Sequence, residues 1–191
     1  MRTRFGLFLL AVIMLPQAAD KASAQTPVDA NWKETLLARL PLYGHRNWIV
    51  VADSAYPAQS RDGIETIVSN ADQMEVLKQV LSVLDNSKHV TPIVYTDREL
   101  KFIEEKEAPG ISAYREQLAG MLEKRTVHTL PHEQIISMLD QVSRTFRVLI
   151  VKTNLTIPYT SVFLQLDCAY WNADQERRLR ATMAAHPQVK P

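Results

Sequence analysis

Short runs of strand-forming residues alternate along this chain with segments of helical spacing, and that alternation limits the fold more than any other feature. Trp48 to Ala52, Val90 to Tyr95, Arg147 to Lys152 and Val162 to Leu166 are apolar and rich in β-branched residues. Thr126 to Leu130 is a further short strand, and Ile64 to Ile67, after Gly63, is either a strand or a turn. Between them lie helical patterns. Trp32, Leu36, Leu37 and Leu40 share a face, with Asp29 or Asn31 as cap, Pro41 bending the end and Gly44 ending it. Asp72 caps a helix carrying Met74, Val76, Leu77, Val80, Leu81 and Leu84. Arg98 to Glu107 predicts a charged helix stopped by Pro109-Gly110, and Ser112 caps the next, Tyr114 to Lys124. Pro131 opens a helix through Ile135, Ile136, Met138 and Leu139. Asn172 or Asp174 caps a polar helix with Glu176, Arg177, Arg178 and Arg180. Strands separated by helices predict a three-layer α/β domain, a mostly parallel sheet with helices on both faces. Sites in such sheets collect at strand ends.

The first residues predict a targeting segment. A basic start, Met1 to Arg4, precedes the uncharged run Phe5 to Leu15, and Ala22-Ser23-Ala24 matches a small-residue cleavage site. The expected organisation is a secretory signal peptide over 1–24, a domain over 25–167 and a helical extension over 168–191, with a periplasmic or secreted mature chain. The apolar run is short for a membrane span, so no membrane association is expected after cleavage. A net charge of +1 gives no reason to expect nucleic acid as a partner. Cys168 is the single cysteine, which excludes an intrachain disulfide and a multi-cysteine metal site; a buried thiol is the default reading.

No glycine-rich phosphate loop, His-Glu-x-x-His or Gly-x-Ser-x-Gly motif is present. Of the five histidines, His128 and His132 are four apart, but Pro131 breaks a shared helix face, so no metal site is expected. His45 and His132 stand out by their settings. His45 lies between Gly44 and a buried strand, with Asp53 after that strand; His132 opens a helix, beside Glu133. A strand separates His45 from Asp53, so one site using both needs a curled backbone or a second subunit. The loop Thr156 to Ser161 offers hydroxyls at a strand start, or is a plain connecting turn.

Together these segments resemble the D-ribose pyranase / L-fucose mutarotase family (RbsD/FucU). Leu36 to Leu40 looks like its first helix, and Gly44-His45, the following strand, Asp53 and Pro57-Ala58 like its opening. Pro131-His132-Glu133-Gln134 looks like the helix start of the pyranase branch. Arg147 to Lys152, then Pro158-Tyr159-Thr160-Ser161 and its strand, look like the closing segment. The resemblance covers roughly Lys33 to Leu166.

It implies an RbsD/FucU-like fold and an isomerase of carbohydrate metabolism that interconverts anomers or ring forms of a monosaccharide. It implies no metal or organic cofactor, and a homo-oligomeric ring with sites between subunits. By motif position His45, Asp53, His132 and Tyr159 line the site; the catalytic residues are His45, the principal acid/base, Asp53, which orients it, and His132, which with Tyr159 holds sugar hydroxyls or relays a proton. Tyr159, Ser161 and Tyr56 would hold sugar. Opening a hemiacetal needs a base for the anomeric O–H and an acid for the ring oxygen, and imidazole serves either role near neutral pH. Tyr43, Trp48, Tyr56 and Tyr159 are the aromatics available to stack on a sugar, with Trp48 equally suited to the core. The chain departs from the family pattern at Ser161 (where the family has Asn), at Thr153-Asn154, at Ala55, and in its leader and C-terminal helix. Three readings follow: a mutarotase-like enzyme, a monosaccharide-binding or sensing protein without turnover, and a structural ring.

Overall fold

Both faces of the sheet are covered, which is why the central runs Trp48 to Ala52 and Val148 to Val151 are apolar and buried at every position. The computed structural model describes residues 29 and 31–186, so the expected leader lies outside the described residues. Six strands, β1 (Trp48–Ala52), β2 (Ile64–Val68), β3 (Val90–Asp97), β4 (Val127–Leu130), β5 (Val148–Lys152) and β6 (Val162–Cys168), form one sheet. Its order is β2-β5-β1-β6-β3-β4. Five strands run the same way; β6 lies antiparallel between β1 and β3.

Alternation along each strand sorts the core into two layers. Ile49, Val51, Leu149, Val151, Val162 and Leu164 face helices α1 (Trp32–Arg39), α2 (Gln73–Asp85) and α3 (Ile111–Leu122). Trp48, Val50, Val148, Ile150 and Phe163 face α4 (His132–Val142), through its Ile135 and Leu139. The expected three-layer α/β domain is therefore the observed fold, with β6 as its reversed strand. Trp48 is fully buried and stacks on Tyr95 at 5.3 Å, and Tyr43 lies in the opposite layer; both are core residues.

Several local expectations change. Arg98 to Glu107 is not one helix but a single turn, Arg98–Lys101, followed by loop. Only Leu100 and Ile103 of that stretch pack on the core, too short an apolar face to carry a full helix, and Phe102 stays exposed. Glu105 instead accepts hydrogen bonds from the Gly110 and Ser112 amides, so it, not Ser112, caps α3. Gly110 holds the entry turn at φ 94°, which favours glycine. Asn31 flanks α1 without capping it; Asp29 accepts from the Asn31 amide and the Thr35 hydroxyl. The first helical segment closes with a turn at Leu40–Leu42, ahead of Gly44. Pro131 sits just outside α4, and Asp72 caps α2 as expected. Cys168 is half-buried rather than enclosed. The C-terminal helix α5 (Ala173–Ala185) starts with an Asn172/Gln175 capping box and buries none of its side chains. No helix among the described residues is long and apolar enough to cross a membrane.

Candidate functional site

Because β6 is reversed, the loop before it meets the loops after the parallel strands. Asp53 follows β1, Asp97 ends β3, His132 follows β4, and the loop from Thr153 to Ser161 joins β5 to β6. All gather at one end of the sheet. There they frame a cleft of about 490 Å³, lined among others by Asp53, Tyr56, Gln59, His132, Ile136 and Tyr159. Of the residues expected in the site, Asp53, Tyr56, His132 and Tyr159 line this cleft, and Ser161 stands behind Asp53.

Asp53 is held by two donors. Its Oδ1 accepts from the Ala55 amide at 2.9 Å and its Oδ2 from the Ser161 hydroxyl at 3.1 Å. Ser161 thus positions a carboxylate and is itself buried. Tyr56 is also largely buried; its hydroxyl accepts from Gln59, and burial pushes its pKa up to about 12. Lys152 donates to the Tyr56 carbonyl at 2.6 Å and fixes this loop to the end of β5.

His132 is the first residue of α4. Its amide donates to the Glu99 carboxylate at 3.0–3.1 Å, so Glu99 supplies the helix cap. Its ring is set by Asp97, whose Oδ1 lies 3.1 Å from Nδ1, off the line of a good hydrogen bond. Asp97 is 1% exposed, and neither of its oxygens has a well-aligned donor among the described residues. Burial raises its pKa to about 6; His132 opposes that rise, while Glu99 and Asp53 add to it. Tyr159 meets the other side of the site, its ring edge-on to His132 at 5.4 Å.

Tyr159 has φ 56°, a left-handed conformation that few aromatic residues adopt. A buried polar network holds the loop there. Thr160 accepts at its carbonyl from the Tyr114 hydroxyl (2.6 Å) and from Gln73. Gln73, fully buried, also accepts from the Thr153 hydroxyl at 3.1 Å. Backbone strain maintained by its surroundings is characteristic of functional loops.

His45 is elsewhere. It is exposed and precedes β1, and the adjacent Arg46 amide donates to Leu166, in the far half of β6. β1 alone separates His45 from Asp53 by roughly 16 Å, so Asp53 does not orient His45 of its own chain. The hollow at that far end, about 410 Å³, has arginines already engaged: Arg61 and Arg144 with Asp140, and Arg147 with the Asp62 carbonyl. His89 and His128 lie outside the cleft. His89 contacts the Leu40 and Tyr43 carbonyls, and His128 packs against Tyr95.

Asp97, Glu99 and Gln73 support the residues and loop around the cleft, and the sequence reading missed them. Asp97 had a usable signal: it ends an apolar strand as Asp53 follows one.

Asp97 also makes stability depend on pH. Its folded pKa, about 6, lies above the ordinary carboxylate value. Its contribution to stability is complete below about pH 4 and is lost as pH rises through about 6. Between pH 4 and pH 8, the stability difference between Asp97→Asn and the parent chain is expected to shift in the variant's favour by on the order of 2 kcal/mol. Urea melts at the two pH values measure it; a pH-independent difference would contradict the assignment.

These features define an α/β protein with a polar, partly strained cleft at the carboxyl ends of its parallel strands. The chain belongs to the RbsD / FucU transport protein family, whose sequence pattern matches residues 30–168. Among solved structures it is similar to RbsD of Bacillus subtilis complexed with D-ribose, at 14% identity and TM-score 0.48, covering 75% of this chain and 95% of that one. FucU of Bifidobacterium longum is 17% identical with TM-score 0.49, covering 70% and 94%. The fucose mutarotase of Streptococcus pneumoniae, in complex with L-fucose, is 19% identical with TM-score 0.46, covering 73% and 93%. No curated protein sequence matches the chain.

Proposed function

We propose that this protein is a mutarotase- or pyranase-like isomerase that interconverts anomers or ring forms of a monosaccharide by acid/base catalysis, without a cofactor. One observation carries the reading: His132 and Asp53 face a single cleft beside Tyr159, within the segment shared with the family. One of these groups takes the anomeric proton while another protonates the ring oxygen, and Tyr159 covers a sugar face. His45 enters as a residue of a neighbouring copy in a homo-oligomeric ring, since within one chain it lies at the wrong end of the sheet. The leader supports action in the periplasm or outside the cell; the mature chain should begin at Gln25 on N-terminal sequencing.

Exchange NMR on the mature chain with a panel of monosaccharides, ribose and fucose included, tests the activity. Saturation transfer between anomers is expected to accelerate, and to disappear in His45→Gln with the fold intact. Unchanged exchange in His45→Gln would remove His45 from the mechanism. A second reading is favoured by Ser161, whose hydroxyl is spent on Asp53 rather than open to a ligand. This is a protein that binds or senses a sugar without turning it over. It predicts chemical-shift changes on sugar addition with no faster exchange.

A further inference from the structure

We propose that Asp97 is a positioning residue: it holds the neutral ring of His132 in the form protonated at Nδ1, leaving a basic Nε2 open to the cleft. The inference deepens the isomerase reading and rests on it for its catalytic consequence, though not for its structural content. Free imidazole gives no such fixed choice, and the tautomer of a histidine is set by what its second nitrogen meets. Here the Nδ1 atom is buried and faces the Asp97 carboxylate at 3.1 Å. That carboxylate is itself buried, and no well-aligned donor reaches it from the described residues.

The groups around it give no alternative proton. Glu99 is spent on the His132 amide, and Asp53 is held by Ala55 and Ser161. The Tyr114 hydroxyl donates to Thr160, and the Tyr56 hydroxyl accepts from Gln59 and makes no hydrogen bond to Asp97. A lone pair on Nδ1 turned toward an ionised Asp97 would be repelled. A proton there replaces that repulsion with an attractive, though bent, contact between the two buried atoms. The exposed part of the ring, where Nε2 lies, then meets the cleft as a hydrogen-bond acceptor and base. Glu133, adjacent in sequence, also lines the cleft but makes no hydrogen bond to the Nδ1 atom.

The test uses the full mature chain labelled with nitrogen-15 in its histidines, at pH 8. Ring nitrogen shifts identify the tautomer of His132, assigned by comparison with His132→Gln. The parent chain is expected to show protonated Nδ1 and free Nε2. Asp97→Asn, nearly isosteric, and Asp97→Ala are both expected to lose that preference. A parent ring protonated at Nε2 overturns the proposal, and so does an Nδ1-protonated ring that persists in both variants. Because the parent spectrum decides on its own, a variant that fails to fold does not protect the idea. If the monosaccharide panel reveals an exchange substrate, Asp97→Asn should lower kcat roughly 100-fold with little change in KM. An unchanged kcat then overturns the catalytic consequence. Failure of every sugar to exchange counts against the isomerase reading alone, and the tautomer result stands apart from it.

Discussion

Exchanging His132 for Gln is expected to reduce anomer interconversion by at least about 100-fold, the usual contribution of a positioned acid or base. The fold should survive. The ring is partly exposed at the edge of the cleft, its side chain 30% accessible, and the helix-capping bond to Glu99 runs from the backbone amide that Gln retains. Saturation-transfer NMR on a responsive sugar gives the rate, and a thermal melt gives the stability. The loss should fall on kcat rather than on sugar affinity, because Tyr159 and the Asp53 loop remain to bind. A variant with parent-like exchange would move the chemistry away from this end of the sheet. A variant that binds no sugar at all would make His132 a binding group rather than the base.

The second large effect lies far from the cleft. Gly63→Ala is expected to destabilise the protein by roughly 3 kcal/mol, a drop in Tm of about 6–12 °C for a chain of this size. A Cβ at Gly63 would stand 2.1 Å from the Ser143 carbonyl oxygen and 3.0 Å from that of Phe146. Both are backbone atoms of the turn that joins α4 to β5, so no side chain can swing away. The Gly63 carbonyl also accepts from the Val148 amide at 2.9 Å, where β5 begins. Separating the two chain segments would therefore loosen the pairing of β2 with β5, the edge of the sheet. Urea denaturation measures the loss. A change below about 1 kcal/mol would mean that the α4–β5 turn moves freely, contrary to its packing. Exchange per folded molecule should stay near that of the parent chain, since the cleft is at the other end of the strands.

Most of the fold could be read in the sequence for a plain reason. Strands buried on both faces have to be apolar at every position, so Trp48 to Ala52 and Val148 to Val151 announce themselves. Asp53 and His132 could be read as candidates because each sits at the boundary of an element, and Tyr159 because its loop leads into a strand; all three line the cleft. Asp97 was hidden by its neighbours. Arg98 and Glu99 make it look like the start of a solvated helix, and only the sheet order shows that it faces His132. Gln73 was hidden in a similar way, as a polar residue in the first turn of α2, where exposure is the ordinary expectation. The stretch after Asp97 was misread because its composition favours a helix while its pattern offers only Leu100 and Ile103 to bury. Strand direction, which sequence spacing does not reveal, decides that His45 and Asp53 lie at opposite ends. It is also what brings Ser161 to Asp53 across more than one hundred positions of chain.

The place of β6 has a consequence for the birth of the protein. β2, β5 and β1 form one half of the sheet and β3 and β4 the other, and β6 alone joins them. A nascent chain on the ribosome can pair β3 with β4 early, but it cannot close the sheet until the segment Val162–Cys168 has emerged. Until then β1 and β3 each present an open edge, which invites pairing with other chains. Insertion of β6 is a late, long-range event of the kind that slows folding. It is also the step that brings the Tyr159 loop over His132. Translation that stops before residue 162 should yield an aggregation-prone chain, and the cleft should be among the last features to form as the protein matures.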